Sequence, residues 1–365
     1  MTLPAQPLRL ATLFALALGA APALAQNGPP PLTPEEATAA SARYQQYCAL
    51  CHGPDRAGYA NDHAPSLKSP QLFAAGFPAV IGEAIAYGRP GTPMGGYHEE
   101  VGGPLSRKDI VQLTLWLGEQ AAAAPLHLPD GAVTGDVALG AKVYADSCAS
   151  CHGAQGEGGT GTALGNATML ALTPDAFIRH TIENGRDGTP MVAFRDTLSP
   201  AQIDGVTAYI RSRSAGWTAP DPIRHAPPAL DAYVINPDAP APEFTLKDGL
   251  YVSAADLDRE LKARKRMVLL DTRVTSMWER AGIEGAVPGP YYASREEVMA
   301  NLPTDGTWIV AYCECPRAAA ESVVRKLREG GLTNTAVLWE GIQGWVSLGY
   351  PVVPGNAAPK VAGQP

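Results

Sequence analysis

The sequence predicts a multidomain protein: one domain present twice, followed by an α/β domain built on a parallel sheet. Three observations carry that prediction. An internal repeat runs from about residue 34 to residue 214, a proline-rich stretch follows from Pro220 to Pro242, and beyond Phe244 short apolar runs alternate with helical patterns. With 365 residues the chain is long enough for two or three cores, and 45% hydrophobic with 18% charged residues is the balance of a globular protein. The net charge is −8 and no basic patch stands out, which speaks against nucleic acid as a partner.

Residues 1–25 are the first element. Arg9 precedes an apolar run from Leu10 to Ala25, and Ala23, Leu24 and Ala25 form a small-residue cleavage site before Gln26, the pattern of a secretory signal peptide. Pro22 interrupts the run, which is shorter than the roughly 20 apolar residues needed to span a bilayer. No Cys follows the site, and no later segment is long and apolar enough to span. A periplasmic or otherwise exported protein, without a membrane span after cleavage, is expected.

Six cysteines in an exported chain usually mean disulfides, but the spacing here indicates another use. Cys48 and Cys51 are followed by His52, Cys148 and Cys151 by His152, and Cys313 is paired with Cys315. About 0.002 C-x-x-C-H motifs are expected by chance in such a composition, and this chain has two. On a helix, residues i and i+3 share a face, so the two thiols can each form a thioether with one vinyl group of one haem, and the adjacent His reaches the iron. Zinc would need further ligands, and a dithiol redox motif would not need His twice. Two covalently attached haem c groups are expected, held by Cys48, Cys51, Cys148 and Cys151, with His52 and His152 on iron.

The repeat supplies the other axial ligand. Tyr44 and Tyr144 precede the first Cys of each motif by four residues; "YGRPGTPM" ending at Met94 matches "NGRDGTPM" ending at Met191; "LSRKDIVQLTLWL" from Leu105 matches "LSPAQIDGVTAYI" from Leu198. From His to Met is 42 residues in the first copy and 39 in the second, the difference arising in a loop before "APSL" (Ala64 to Leu67) and "TALG" (Thr162 to Gly165). Met94 and Met191 are therefore the expected second iron ligands. Met169 competes in the second copy but does not occupy the repeat position, and His63, His98 and His180 do not recur and are read as solvated. Met ligation raises a haem's potential, and two filled axial positions suit electron transfer. Arg89 and Arg186, in the repeated "GR", are read either as partners of haem propionates or as surface residues.

Both copies resemble class I c-type cytochrome domains. The resemblance implies all-α domains at residues 34–122 and 130–214, each with an N-terminal helix carrying C-x-x-C-H, a loop presenting Met, and a C-terminal helix packed on the first. The corresponding helices are Thr33 to Cys51 with Ser106 to Gln120, and Gly135 to Cys151 with Ser199 to Ser212. Trp116 and Tyr209, on the second helices, are read with Tyr44 and Tyr144 as core residues.

The connector, residues 215–243, holds seven prolines between Pro220 and Pro242 and reads as a semi-rigid extended segment. It should share few contacts with either side, so the domain after it, residues 244–356, is expected to fold by itself. There, "MVLLDTR" (Met267 to Arg273), "WIVAYCE" (Trp308 to Glu314) and "TAVLWEG" (Thr335 to Gly341) read as buried strands. Helices are expected at Ser253 to Arg264 and Arg317 to Gly331.

The pieces "VLLDTR", "AGIEGAVPGP", "IVAYCE" and "VLWEGIQGWVSLGYPVV", in that order, resemble a rhodanese domain, a sulfurtransferase fold. By that resemblance the catalytic Cys falls on Cys313, its side chain projecting into a loop whose N–H groups and following helix stabilise a thiolate that accepts sulfane sulfur. Ala318 stands where the family carries an Arg, Gly282 where it carries a His, and Glu314 adds a negative charge beside the thiol; Arg317 could partly substitute, and Cys315 offers a second thiol. The favoured reading is an electron carrier with redox protein partners. Its alternatives are an enzyme, a sulfurtransferase or sulfur-compound dehydrogenase, in which a small sulfur compound binds Cys313 and the haems remove its electrons, and a chain whose last domain docks a partner.

Overall fold

The computed structural model describes residues 31–61, 63–76, 78–89, 92–124, 126–216, 228–229, 232–314 and 317–355; the signal segment, Cys315 and much of the connector lie outside these. The first segment contains α1 (Pro34–Tyr47), α2 (Ala49–His52), α3 (Pro70–Gly76), α4 (Ala79–Tyr87) and α5 (Arg107–Ala121). The second repeats the plan with α6 (Val137–Ser147), α7 (Ala149–His152), α8 (Ala167–Ala171), α9 (Asp175–Asn184) and α10 (Pro200–Ser212). The "LS" of each repeat marks a helix start. Ser106 and Asp109 form a capping box on α5, as do Ser199 and Gln202 on α10, each Ser cap contributing about 1 kcal/mol.

In each segment the last helix packs on the first. The rings of Tyr44 and Trp116 are 5.4 Å apart between α1 and α5, and those of Tyr144 and Tyr209 are 5.3 Å apart between α6 and α10. Tyr44, Tyr144 and Trp116 are buried as core residues, whereas Tyr209 is half-buried. At the α6–α10 crossing Gly140 faces Gly205, and a Cβ on Gly140 would lie 2.0 Å from the Gly205 carbonyl oxygen, so only glycine permits this approach. No helix among the described residues is long and apolar enough to cross a membrane.

The C-terminal part is α/β. In chain order it runs β1 (Tyr251–Val252), α11 (Ala254–Lys262), β2 (Met267–Asp271), α12 (Thr275–Arg280), β3 (Ala286–Pro288), α13 (Arg295–Met299), β4 (Trp308–Tyr312), α14 (Ala318–Glu329), β5 (Thr335–Leu338) and α15 (Gly341–Ser347). The five strands pair in parallel in the order β1-β5-β4-β2-β3. Both faces are covered, as a parallel sheet requires. Strand alternation sends Val268, Leu270, Ile309 and Ala311 into one apolar cluster and Met267, Leu269, Val310 and Tyr312 into another.

The first of these clusters does not stop at the sheet. It continues into Leu113, Leu117, Ile85 and Tyr97 of the first helical segment, so the two parts share one core. Ser276 Oγ donates to the Gly96 carbonyl at 2.6 Å, and the Tyr97 and Tyr291 hydroxyls lie 2.6 Å apart and share the Tyr47 carbonyl as acceptor. The expected independence of the α/β domain is therefore not what the structure has. Nor is the connector detached: Ile235 and Met267 form a backbone bridge at 2.9 and 3.3 Å, and Arg266 N–H donates to the Pro240 carbonyl. Proline lacks an N–H, so the bridge falls on Ile235, between prolines.

Candidate functional site

The two C-x-x-C-H motifs fold identically. Cys48 ends α1 and Cys148 ends α6; each carbonyl accepts from the N–H of the second Cys at 3.2 Å, and from that of the His at 2.9 Å in the first motif and 3.0 Å in the second. Gly53 and Gly153 then break the helix with positive φ, and their carbonyls accept the Tyr44 and Tyr144 hydroxyls. Burial pushes the Cys48 thiol up to about 12 and, with Cys151 adding to it, the Cys148 thiol to about 11, so both sit as neutral thiols.

Each His is oriented by its other nitrogen. His52 Nδ1 lies 2.8 Å from the Pro65 carbonyl and His152 Nδ1 lies 2.7 Å from that of Thr162, an acceptor that fixes the proton on Nδ1 and leaves Nε2 for a metal. Burial lowers both histidines' pKa, keeping them neutral. The acceptor follows its His by 13 residues in the first segment and 10 in the second, so the three-residue difference is absorbed before it. These acceptors are backbone carbonyls and leave no side-chain signature in the sequence.

The repeated G-R-x-G-T-P-M builds one turn twice. Arg89 N–H donates to the Met94 carbonyl at 2.6 Å, and Arg186 N–H to that of Met191 at 2.9 Å. The hydroxyls of Thr92 and Thr189 accept from the Met N–H groups at 3.2 Å and donate back to the Arg carbonyls. Gly88 and Gly185 enter the turn at φ +67° and +68°; a Cβ there would lie 2.5 and 2.7 Å from the Met carbonyl oxygens. Thus one turn places Met and Arg together.

Met191, His152, Cys148 and Cys151 line a cavity of about 210 Å³, far above the ~10–15 Å³ that holds one water. Its wall also includes Tyr59, Pro65, Ser66 and Arg89 from the first segment. Met169 lines it too, but lies in α8, buried with the second segment's core. His63 is exposed and His180 half-buried, whereas His98 is buried and caps a short turn by accepting from Glu100 N–H. The fit to haem is good: paired thiols on one helical turn, a neutral His, a facing Met, and Arg186 Nε withdrawn from solvent with no hydrogen-bond partner among the described residues.

Cys313 directly follows β4 and continues its alternation, so the side chain falls on the Ile309 and Ala311 face and is 4% exposed. Its sulfur donates to the Glu314 carbonyl at 3.2 Å. Glu314 is buried beside it and paired with Arg273 Nη1 at 3.1 Å, while Arg273 also holds Asp271 at 2.6 Å. Burial raises the Glu314 carboxyl, against the pull of Arg273. Arg317 is engaged elsewhere, donating to the Trp339 carbonyl at 3.0 Å and stacked 3.8 Å over the Trp339 ring.

Comparison with known proteins agrees with this division. The family model described as cytochrome c oxidase, cbb3-type, subunit III matches residues 35–117 and again 135–210, and the rhodanese-like domain model matches residues 253–348. The cbb3-type cytochrome c oxidase subunit FixP of Azorhizobium caulinodans is 32% identical over 175 residues, covering 46% of this chain and 57% of that protein. This chain therefore spans little more than half the length of that relative. Cytochrome c6 of a Synechococcus species is 34% identical over 113 residues, 29% of this chain and 86% of that protein. A rhodanese-related protein from Thermoplasma volcanium is 30% identical over 28% of this chain and 97% of its own, with a TM-score of 0.25.

Proposed function

This chain belongs to the c-type cytochromes, with two cytochrome segments and a rhodanese-like domain in one polypeptide, and we propose that it is an exported dihaem carrier exchanging electrons with redox protein partners. Haem c, which kinship with these cytochromes implies, supplies a one-electron iron couple when bound. Cys48 and Cys51 would tether it in the first segment, Cys148 and Cys151 in the second. His52 with Met94, and His152 with Met191, would be the side chains that hold the iron, and iron so held would serve electron transfer and not substrate binding. The single observation that carries this reading is the Arg–Thr–Met turn built twice with the same internal hydrogen bonds, each in a segment that also carries an oriented His. Acid acetone should leave the pigment on the protein, and a pyridine haemochrome assay should count two haems per chain. A count of one or none overturns the reading.

Export is supported by the leader pattern in residues 1–25. A second reading takes Cys313, which follows β4 and is 4% exposed, as the acceptor of sulfur from an uncharged or persulfide donor once its contact with the Glu314 carbonyl is released. Glu314 beside it, and an Arg273 already matched by Asp271, oppose a dianionic donor such as thiosulfate. Mass spectrometry after persulfide treatment should find one added sulfur on Cys313, absent from Cys313→Ser. No adduct in the wild type ends this reading and leaves the domain as a cover for the first segment.

A further inference from the structure

Arg89 and Arg186 occupy matching places in the two Met turns, yet they do not stay in separate sites. Arg89, from the first segment, lines the cavity that holds His152 and Met191 of the second. Its backbone N–H also holds the Met94 carbonyl of its own segment, and Arg186 lines the same cavity. Contacts between the segments hold them in this arrangement: Gln71 and Asp187 exchange hydrogen bonds between α3 and the second Met turn, and Phe177 of α9 joins the first segment's core.

Two guanidiniums facing one cavity are costly unless an anion accompanies them. Among the described residues no carboxylate pairs with either Arg, and Arg186 Nε has no hydrogen-bond partner. The Arg186 guanidinium lies over the Phe177 ring, 5.5 Å from its centroid. A planar fork without a carboxylate, facing a cavity, is a site built to receive one.

We infer that Arg89 and Arg186 together form one carboxylate-binding site shared by the haems of both segments, so that each cation raises the potential of both. The inference rests on the dihaem reading above and goes beyond it by making the two redox centres electrostatically dependent on the same two side chains. A nearby cation favours the reduced state, so removing it lowers the midpoint.

The test is an equilibrium redox titration of the full-length holoprotein. The two components are assigned in Met94→His and Met191→His backgrounds, each of which lowers the midpoint of its own haem. Arg89→Gln should shift both midpoints down, and Arg89→Lys, which keeps the charge, should recover most of the shift. Should Arg89→Gln load haem poorly, Arg186→Gln makes the same test with the segments exchanged. A shift confined to one component, or none, overturns the inference while two haems by pyridine haemochrome leave the dihaem reading standing. If inorganic phosphate added to the wild type moves both midpoints, and Arg89→Gln abolishes that response, the pair holds a free anion and the inference also fails.

Discussion

The two Met turns have the same sequence core and the same hydrogen bonds but opposite surroundings. After Met94 come Gly95, Gly96, Tyr97 and His98, all buried. After Met191 come Val192, which is 62% exposed, then exposed Ala193, half-buried Phe194 and exposed Arg195. The difference is the rhodanese-like domain. Its α12 lies on the first turn, where Ser276 bonds the Gly96 carbonyl, and Tyr291 meets the Tyr97 hydroxyl that Phe194 lacks. A duplicated domain has thus been divided by its neighbours: one Met turn is clamped within the protein and the other is exposed.

The largest effect should come from making the covered turn resemble the open one. A Cβ on Gly95 would lie 2.9 Å from Met277 Cγ and Sδ and 3.2 Å from Val274 Cβ. Gly95→Val, copying Val192, should overpack this contact and cost about 1–3 kcal/mol. Val192→Gly, on an exposed site, should stay within about 0.5 kcal/mol. Denaturant unfolding of both variants checks this, and equal losses would mean that α12 does not bear on the first turn.

A smaller effect concerns pH in the covering domain. The Glu314 carboxyl has a pKa raised above 4.5, chiefly by burial. Its native form therefore favours the proton, so its contribution is fully present below about 4.5 and is lost as pH rises through the raised folded value. Glu314→Gln should flatten that slope in the rhodanese-like domain and leave the pH dependence of the second segment, followed through its haem, unchanged. A slope that survives the substitution would show that other groups carry it.

Much of this was legible in the sequence, and the parts that were not have physical reasons. The C-x-x-C-H spacing, the repeated G-T-P-M and the Ser-initiated helices each combine a local backbone form with a fixed chemistry, so Cys48, His52, Met94 and their counterparts could be singled out as candidates. β1 and β3, of two and three residues, are too short to show periodicity. Docking of the α/β domain depends on residues far apart in the chain, such as Gly96 with Ser276 and Tyr97 with Tyr291. Its trace lay in where the copies differ, Gly95-Gly96-Tyr97 against Val192-Ala193-Phe194, small residues and an added hydroxyl at one site only. Cys313 was expected to project into the concavity of the loop after its strand; alternation along β4 puts it with Ile309 and Ala311 in the apolar cluster.

The central claim, two Met-ligated haems in one chain, is tested most directly by the weak far-red absorption that marks a bond between oxidised iron and a thioether. Met94→Ala and Met191→Ala should each remove about half of that band while the pyridine haemochrome count stays at two, and the double variant should abolish it. If Met191→Ala leaves the band whole and Met169→Ala removes part of it, the ligand of the second segment has been misassigned and the equivalence of the two turns fails.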